Sequence, residues 1–171
     1  LKETLPEFFE NGRIKSKQAL DSLLDMLEDL FLLSYSNGVE ATNLSLSSNI
    51  EPTLDDVMNT VDKKVAGKTW RERVEDYFAN GGTGADISRI ADTETHRIAN
   101  TAAFNTAKRA GATTKTWVTM ADERVRDTHS YLELETVGID DDFYTFDGDH
   151  APAPGLFELP ENNINCRCEL L

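Results

Sequence analysis

The sequence has few of the features that identify disulfide-stabilised or membrane proteins. Its 171 residues include only two cysteines, Cys166 and Cys168, which are too few for a framework of disulfides. A disulfide across a single intervening residue would be badly strained, so we expect free thiols. No apolar run approaches the roughly 20 residues that a membrane-spanning helix needs. The richest stretch, LEDLFLLSY, contains Glu28 and Asp29, so no membrane partner is expected.

Positive charge is also scarce. The chain has 17 Lys and Arg residues against 31 Asp and Glu, which gives a formal net charge of -14. Nonspecific binding to nucleic acid depends largely on neutralising phosphates, so this balance disfavours it. DNA binding remains an alternative only through a local basic patch. That patch would consist of Lys108, Arg109, Lys115, Arg124 and Arg126.

Recognisable catalytic signatures are missing as well. The sequence has no G-x-S-x-G, no glycine-rich phosphate-binding loop and no H-E-x-x-H, so we predict neither catalytic residues nor an enzyme. An acidic stretch does not match the calcium-loop pattern, and we expect it to be a solvated loop. Its members are Asp140, Asp141, Asp142, Asp147, Asp149 and His150.

The first two thirds of the chain predict helices. Leucines at helical spacing indicate an amphipathic helix over residues 14–35, and the Ser-, Asn- and Gly-rich stretch that follows predicts a loop. Thr53 and Thr69 are typical N-caps of two short helices. The longest helix is expected from Thr83 or Ala85 to Arg109, with Gly111 just beyond its end.

From Thr114 the pattern changes to β-structure. The segments TKTWVTM, ETVGI, DFYTF and INCRCELL predict strands, a helix is expected to begin at Asp122, and a proline-rich long loop follows it. The predicted fold is therefore α+β: an N-terminal helical layer, then a small antiparallel or mixed β-sheet with an inserted helix. We place a helical N-terminal region at residues 1–66 and the α+β domain at 67–171.

The last predicted strand contains both cysteines. Strand alternation places Cys166 and Cys168 on one face and Asn165 and Arg167 on the other. If His129 lies beneath the cysteine face, the three side chains supply ligands that zinc takes, with a carboxylate such as Asp122 or a water as the fourth. Two alternatives stay open: buried thiols that pack as small hydrophobic side chains, and redox chemistry.

Several motifs together resemble a known family. The runs TETHRIANTAAFNTAKRAG, KTWVTMADERVRDTHSYL, DDFYTFDGDHAPAPG and NNINCRC are similar, in this order, to the Mu protein F-like family of tailed-phage minor head proteins, also called phage head morphogenesis proteins. The resemblance covers about Thr69 to Leu171 and departs from the family pattern at Glu133-Leu134, where relatives usually have Asp-Gly. It is carried by Thr93, Glu94, Arg97, Trp117, Asp122, Arg124, Arg126, His129, Phe143, Pro154, Gly155, Asn165, Cys166, Arg167 and Cys168.

The resemblance implies a virion component of the head interior or portal vertex. Such a protein acts in procapsid assembly, and in DNA packaging or ejection, with the portal protein, the major capsid protein and packaged DNA as partners. It would be found in the host cytoplasm during assembly, or be encoded by a prophage. No cofactor is expected apart from the zinc considered above. Because the sequence begins at Leu1, we expect that an N-terminal segment has been lost. Because it closes on the NCRC segment, we expect none of the toxin-like C-terminal domains that some family members carry.

The resemblance also implies a structural role for the charged motif residues. We expect one ion-pair network that holds the long helix to the sheet, formed by Glu94, Arg97, Asp122, Arg124, Arg126 and Arg167. Two alternative functions remain. One is a zinc-binding or enzymatic phage effector domain that uses His129, Cys166 and Cys168; the other is an internal head protein that binds DNA.

Overall fold

The computed structural model describes residues 4–65 and 67–171. After one short N-terminal hairpin, helices come first and small antiparallel sheets follow, which confirms the α+β fold. The helices are α1 (Lys17–Leu46), α2 (Leu54–Val61), α3 (Trp70–Ala79), α4 (Gly84–Arg109), α5 (Asp127–Ser130) and α6 (Pro160–Asn163), preceded by a 3-10 turn at Leu5–Phe8. The strands are β1 (Phe9–Glu10), β2 (Arg13–Ile14), β3 (Thr114–Val118), β4 (Thr136–Gly138), β5 (Phe143–Tyr144), β6 (His150–Ala151) and β7 (Glu169–Leu170).

Helix α1 is longer than the sequence suggests. The loop predicted after Tyr35 is wrong, because the helix continues to Leu46 and ends where Ser47 adopts a left-handed backbone with φ 51°. Gly38 lies against α4, and a Cβ atom there would be only 2.4 Å from the carbonyl oxygen of Ala99. Glycine at this position therefore permits close helix packing rather than a turn.

The next three helices have the boundaries that their capping residues predict. The hydroxyls of Thr53 and Thr69 accept hydrogen bonds from the backbone of α2 and α3, and both helices begin with a capping box. Helix α4 starts after Thr83, and Gly111 follows its end with φ 82°. These predictions are confirmed because the signals are local.

The helices enclose a first hydrophobic core. The leucine face of α1 packs along α4, and Phe31 meets Trp70 of α3 edge to face with ring centroids 5.0 Å apart. This core contains residues from both sides of residue 66, and the proposed domain division there stays a prediction. Its buried members include Leu23, Leu24, Leu27, Phe31, Val61, Trp70, Val74, Ile87, Ile98 and Ala102.

The described residues contain three small antiparallel sheets of two or three strands: β1-β2 lies before α1, and the other two lie in the second half of the chain. The largest has the antiparallel order β4-β3-β7 and forms one side of a second core around Trp117. The other two are the hairpins β1-β2 and β5-β6, and β5-β6 lies partly within the proline-rich segment predicted as a loop. Asn100 of α4 joins this half to the helices: its amide donates to the carbonyl of Cys168 at 2.9 Å and accepts from the backbone N–H of Leu170 at 3.0 Å.

Two elements of the second half are shorter than predicted. The helix expected from Asp122 is only Asp127–Ser130, because the Asp122 carboxylate accepts the Arg124 backbone N–H and holds a turn that competes with helix. The closing strand is only Glu169–Leu170, because Asn165 has a left-handed backbone with φ 56°. The alternation still holds in one respect, since both cysteines are buried.

No helix within the described ranges is long and apolar enough to cross a membrane.

Candidate metal centre

His129, Cys166 and Cys168 meet in the second core. The Nδ1 atom of His129 lies 3.6 Å from Sγ of Cys166 and 3.4 Å from Sγ of Cys168. One donor atom from each residue lies within 4.8 Å of the others, and all three side chains are buried. The structure thus brings together the two cysteines that strand alternation placed on one face and the histidine expected beneath them. That they hold a metal stays a prediction.

Packing and hydrogen bonds fix each member of this cluster. The His129 ring packs against both Trp117 and Phe157, with centroid distances of 5.3 and 5.4 Å, and these two rings also contact each other. The backbone N–H of Cys166 donates to the carbonyl of Asn163 at 3.1 Å, at the end of α6. On the other side, Asn100 holds the Cys168 carbonyl. The donor atoms are therefore positioned by three different parts of the fold.

The two thiols do not ionise alike. The pKa of Cys166 is lowered to about 4, first because its thiolate accepts a hydrogen bond from the Cys168 thiol and also because it accepts one from His129. The pKa of Cys168 is raised, because it gives that hydrogen bond and because burial disfavours a second negative charge beside the first. The pair therefore presents a thiolate, the form of cysteine that binds metals and attacks electrophiles.

A very small cavity adjoins the cluster. Its volume is about 10 Å³, and its wall includes the three cluster residues, Met120 and Arg126. A space of this size holds roughly one water molecule. The centre can therefore accommodate an ion or a water, and it has no room for an organic substrate.

Asp122 does not belong to the cluster. Its carboxylate accepts two hydrogen bonds from the Arg167 guanidinium, at 2.9 and 2.6 Å. This contact lowers the pKa of Asp122 to about 2. Among the described residues, the only such group of potential ligands is His129, Cys166 and Cys168. The expectation that Asp122 could supply the fourth ligand is therefore wrong.

The prediction of a single ion-pair network is also wrong. Among the described residues, the ion pairs of these motif side chains form two separate groups. Glu94 pairs with Arg97 at 2.8 Å and with Arg73 of α3 at 2.7 Å, and Arg97 also donates to the carbonyls of Thr60 and Val61 at the end of α2. This group holds the helices to one another rather than α4 to the sheet.

The second group of ion pairs holds the C-terminal segment in place. It joins Asp122 to Arg167 and, at 3.4 Å, to Arg124. Arg126 stands beside it and donates from Nη2 to the carbonyl of Ile164 at 2.6 Å. These arginines thus fasten the chain around the cysteines.

Two further contacts join this part of the chain to α4. The Asn165 backbone N–H donates to the Thr93 hydroxyl at 3.1 Å. Gly155 has φ 84°, and a Cβ there would lie 3.0 Å from the Cα of Arg97. Only glycine allows the proline loop to approach the helix so closely.

Asn100 and Asp149 are among the buried polar residues that sequence reasoning missed. Asn100 lies on α4 with no local motif around it, and only its polar character within a buried helix could have indicated its role. The sequence predicts Asp149 to lie in a solvated acidic loop, yet its side chain is only 5% exposed. Its carboxylate accepts hydrogen bonds from the backbone N–H groups of Glu158 and Leu159 and from the side-chain amide of Asn162. It organises the proline-rich loop.

The predicted basic patch is not a free positive surface. Lys108 pairs with Asp140 and Arg109 with Asp56, both at 2.5 Å. Lys115 is buried, and burial lowers its pKa. These contacts do not support DNA binding through this patch.

Comparison with known proteins identifies the family. The sequence profile described as "Phage Mu protein F like protein" matches residues 46–171, which is most of the chain. The chain belongs to this family. Minor head protein GP7 of Bacillus phage SPP1 is 30% identical to it over 84 residues, which cover 47% of this chain and 27% of that protein.

A second relative of this Mu F-like chain has a name of a different kind. NAD(+)-arginine ADP-ribosyltransferase EFV of Enterococcus faecalis is 30% identical over 148 residues, which cover 67% of this chain and 30% of that protein. The Mu F-like chain spans less than a third of the length of these two curated relatives. No solved structure matches it.

Proposed function

We propose that this Mu F-like chain is a head-morphogenesis component of a tailed phage that acts through protein contacts at the portal vertex rather than by catalysis. The observation that carries the proposal is the family match over residues 46–171, together with a relative named as a minor head protein. The portal protein and the major capsid protein are the proposed partners, and the head interior or portal vertex is the proposed location.

The use of the motif residues supports a structural role. Thr93 bonds to the segment that precedes the cysteines, Gly155 lies against α4, and Asp122 bonds to Arg167. Each contact fastens one part of the chain to another. The residues that carry the family resemblance thus serve to hold the domain together.

The surface supports docking on another head protein. Tyr131 and Phe146 are 68% and 64% exposed, and their rings meet edge to face at 6.3 Å. Leu134 is 67% exposed on the same part of the chain. Clustered apolar side chains at a surface mark protein contact sites more often than isolated ones do. We propose this exposed aromatic patch as the contact with the portal or capsid shell.

The proposal is tested in the phage or prophage that encodes the chain. Mass spectrometry of purified procapsids and virions should detect the chain, and the portal protein should co-purify with it. Absence from both particles would overturn the proposed function. Presence in heads without any binding to the portal protein would overturn the portal assignment and leave the head role.

A pair of variants tests the patch. Tyr131→Ser with Phe146→Ser should reduce incorporation into procapsids while the isolated protein keeps its circular dichroism spectrum. Leu44→Ser is the matched control, because Leu44 is 76% exposed on α1. Equal losses for the two variants would contradict the assignment of the contact to the patch.

The non-catalytic part of the proposal has its own test. Most of the ADP-ribosyltransferase lies outside the aligned segment, so its activity is not carried over to this chain. Purified protein incubated with labelled NAD+ and an arginine-containing acceptor should transfer no label above a control without protein. Transfer above that control would contradict the assignment.

A further inference from the structure

We propose that His129, Cys166 and Cys168 bind a zinc ion that stabilises the second core, with a water molecule as the fourth ligand. The ligand types are the first argument. Zinc binds thiolate and imidazole, whereas magnesium and calcium require oxygen ligands. The cluster offers two sulfurs and one nitrogen, and no carboxylate among the described residues belongs to it.

The spacing of the donor atoms is the second argument. A sulfur at ~2.3 Å and a nitrogen at ~2.0 Å from a tetrahedral zinc ion would be about 3.5 Å apart. The two observed distances from His129 Nδ1 to the sulfurs are 3.6 and 3.4 Å. The sulfurs themselves fall within the 4.8 Å limit of the cluster. The two nitrogen–sulfur separations are therefore those of zinc ligands in the fold as it stands.

The rigidity of the cluster is the third argument. A metal site binds well when its ligands are held by packing and by hydrogen bonds to neighbouring groups. Here the imidazole packs against Trp117 and Phe157, and Asn100 fixes the Cys168 carbonyl. An ion would bind to donors that are already ordered.

The small cavity accounts for the fourth ligand. Arg126 lines it, and Nη1 of this side chain is buried with no hydrogen-bond partner among the described residues. A water bound to zinc in the cavity could accept a hydrogen bond from this nitrogen, which would satisfy a donor that is costly to bury alone. The volume of about 10 Å³ admits roughly one water molecule beside the ion.

A zinc site and two thiols packed as hydrophobic side chains place different requirements on the structure. Both cysteines do belong to the second core, and packing alone requires only their size. It requires neither the facing imidazole nitrogen nor the spacing of the donor atoms. The two alternatives predict different metal contents.

Metal analysis is the direct test. The protein is purified under reducing conditions without chelator, without added metal and without a histidine tag, and metals are measured by mass spectrometry. Equimolar zinc is expected. Cys166→Ser and Cys168→Ser should lose it. His150→Ala should retain it, because His150 lies outside the cluster and pairs with Asp142.

A second measurement uses the unaltered chain, so it does not depend on the folding of the variants. Removal of the metal with a chelator should lower the melting temperature and make both thiols reactive towards a thiol reagent, and added zinc should reverse both effects. Cobalt in place of zinc should give the visible absorption of a tetrahedral thiolate complex. These results would support the site.

Other outcomes would overturn the inference. Substoichiometric zinc in folded, reduced protein would show that the thiols only pack. Equimolar copper or iron would contradict the choice of metal. An unchanged melting temperature after complete removal of zinc would contradict its structural role.

Discussion

Replacement of Glu94 by leucine should be strongly destabilising. The Glu94 side chain is 1% exposed and accepts hydrogen bonds from Arg97, which is 2% exposed, and from Arg73. Its removal leaves the Arg97 guanidinium buried without its counter-charge, although the carbonyls of Thr60 and Val61 still accept from it. A buried charge that loses its partner costs much more than an exposed one.

The magnitude follows from this geometry. Loss of one partner from a buried ion pair typically costs about 3–5 kcal/mol. With a urea dependence of about 2 kcal/mol per molar, the unfolding midpoint should fall by roughly 2 M. A double variant, Glu94→Leu with Arg97→Met, should lose less than the two single variants together, because it leaves no fully buried charge unpaired and only the partly exposed Arg73 loses its partner.

Urea unfolding followed by circular dichroism measures these effects. Asp76→Asn is the matched control: its carboxylate pairs with Lys68, and both side chains are about half exposed. It should hardly move the midpoint, because exposed pairs contribute little. A midpoint for Glu94→Leu no lower than that of the control would refute the reasoning, and so would strictly additive losses in the double variant.

Three further predictions concern other contacts. Asn100→Ala should destabilise by about 1–3 kcal/mol in urea unfolding, because it leaves buried backbone groups of the closing segment unpaired. Gly38→Ala, which normally stabilises a helix, should instead lower the melting temperature, since the new Cβ would meet the Ala99 carbonyl at 2.4 Å; a rise would contradict the packing described. Asp122 has its pKa lowered from 3.8 to about 2 by Arg167, so the wild type should lose stability as the pH falls from 4 towards 2. Asp122→Asn should show a smaller acid-dependent loss than the wild type, and parallel pH profiles would exclude the contact as a source of it.

The features that the sequence predicted correctly depend on neighbours in the chain. Thr53 and Thr69 each precede the carboxylate that completes a capping box three residues later. Likewise, Cys166 and Cys168 share a side because extended backbone alternates, even though the strand proper begins only at Glu169. His129 could be grouped with the cysteines because its residue type matches theirs chemically.

The features that could not be predicted depend on distant partners. Gly38 looks like a loop residue until Ala99 of another helix is placed against it. Arg97 finds its carbonyl partners 36 and 37 positions away in sequence, so nothing near it distinguishes a contact with α2 from one with the sheet. Asp149 has carboxylate neighbours in sequence, and its partners lie nine to thirteen residues further on.

The two hydrophobic cores have a consequence for the order of folding during synthesis. The first is built from residues between Leu5 and Ala102, whereas the second needs Trp117 together with Cys166 and Cys168. The ribosome makes the chain from its N-terminus, so the helical core can form while the cysteine segment is still inside the exit tunnel. We expect stalled chains that have exposed only the first core to resist protease there, with the region after α4 still cleavable. The cysteine segment would then complete the second core once it has emerged.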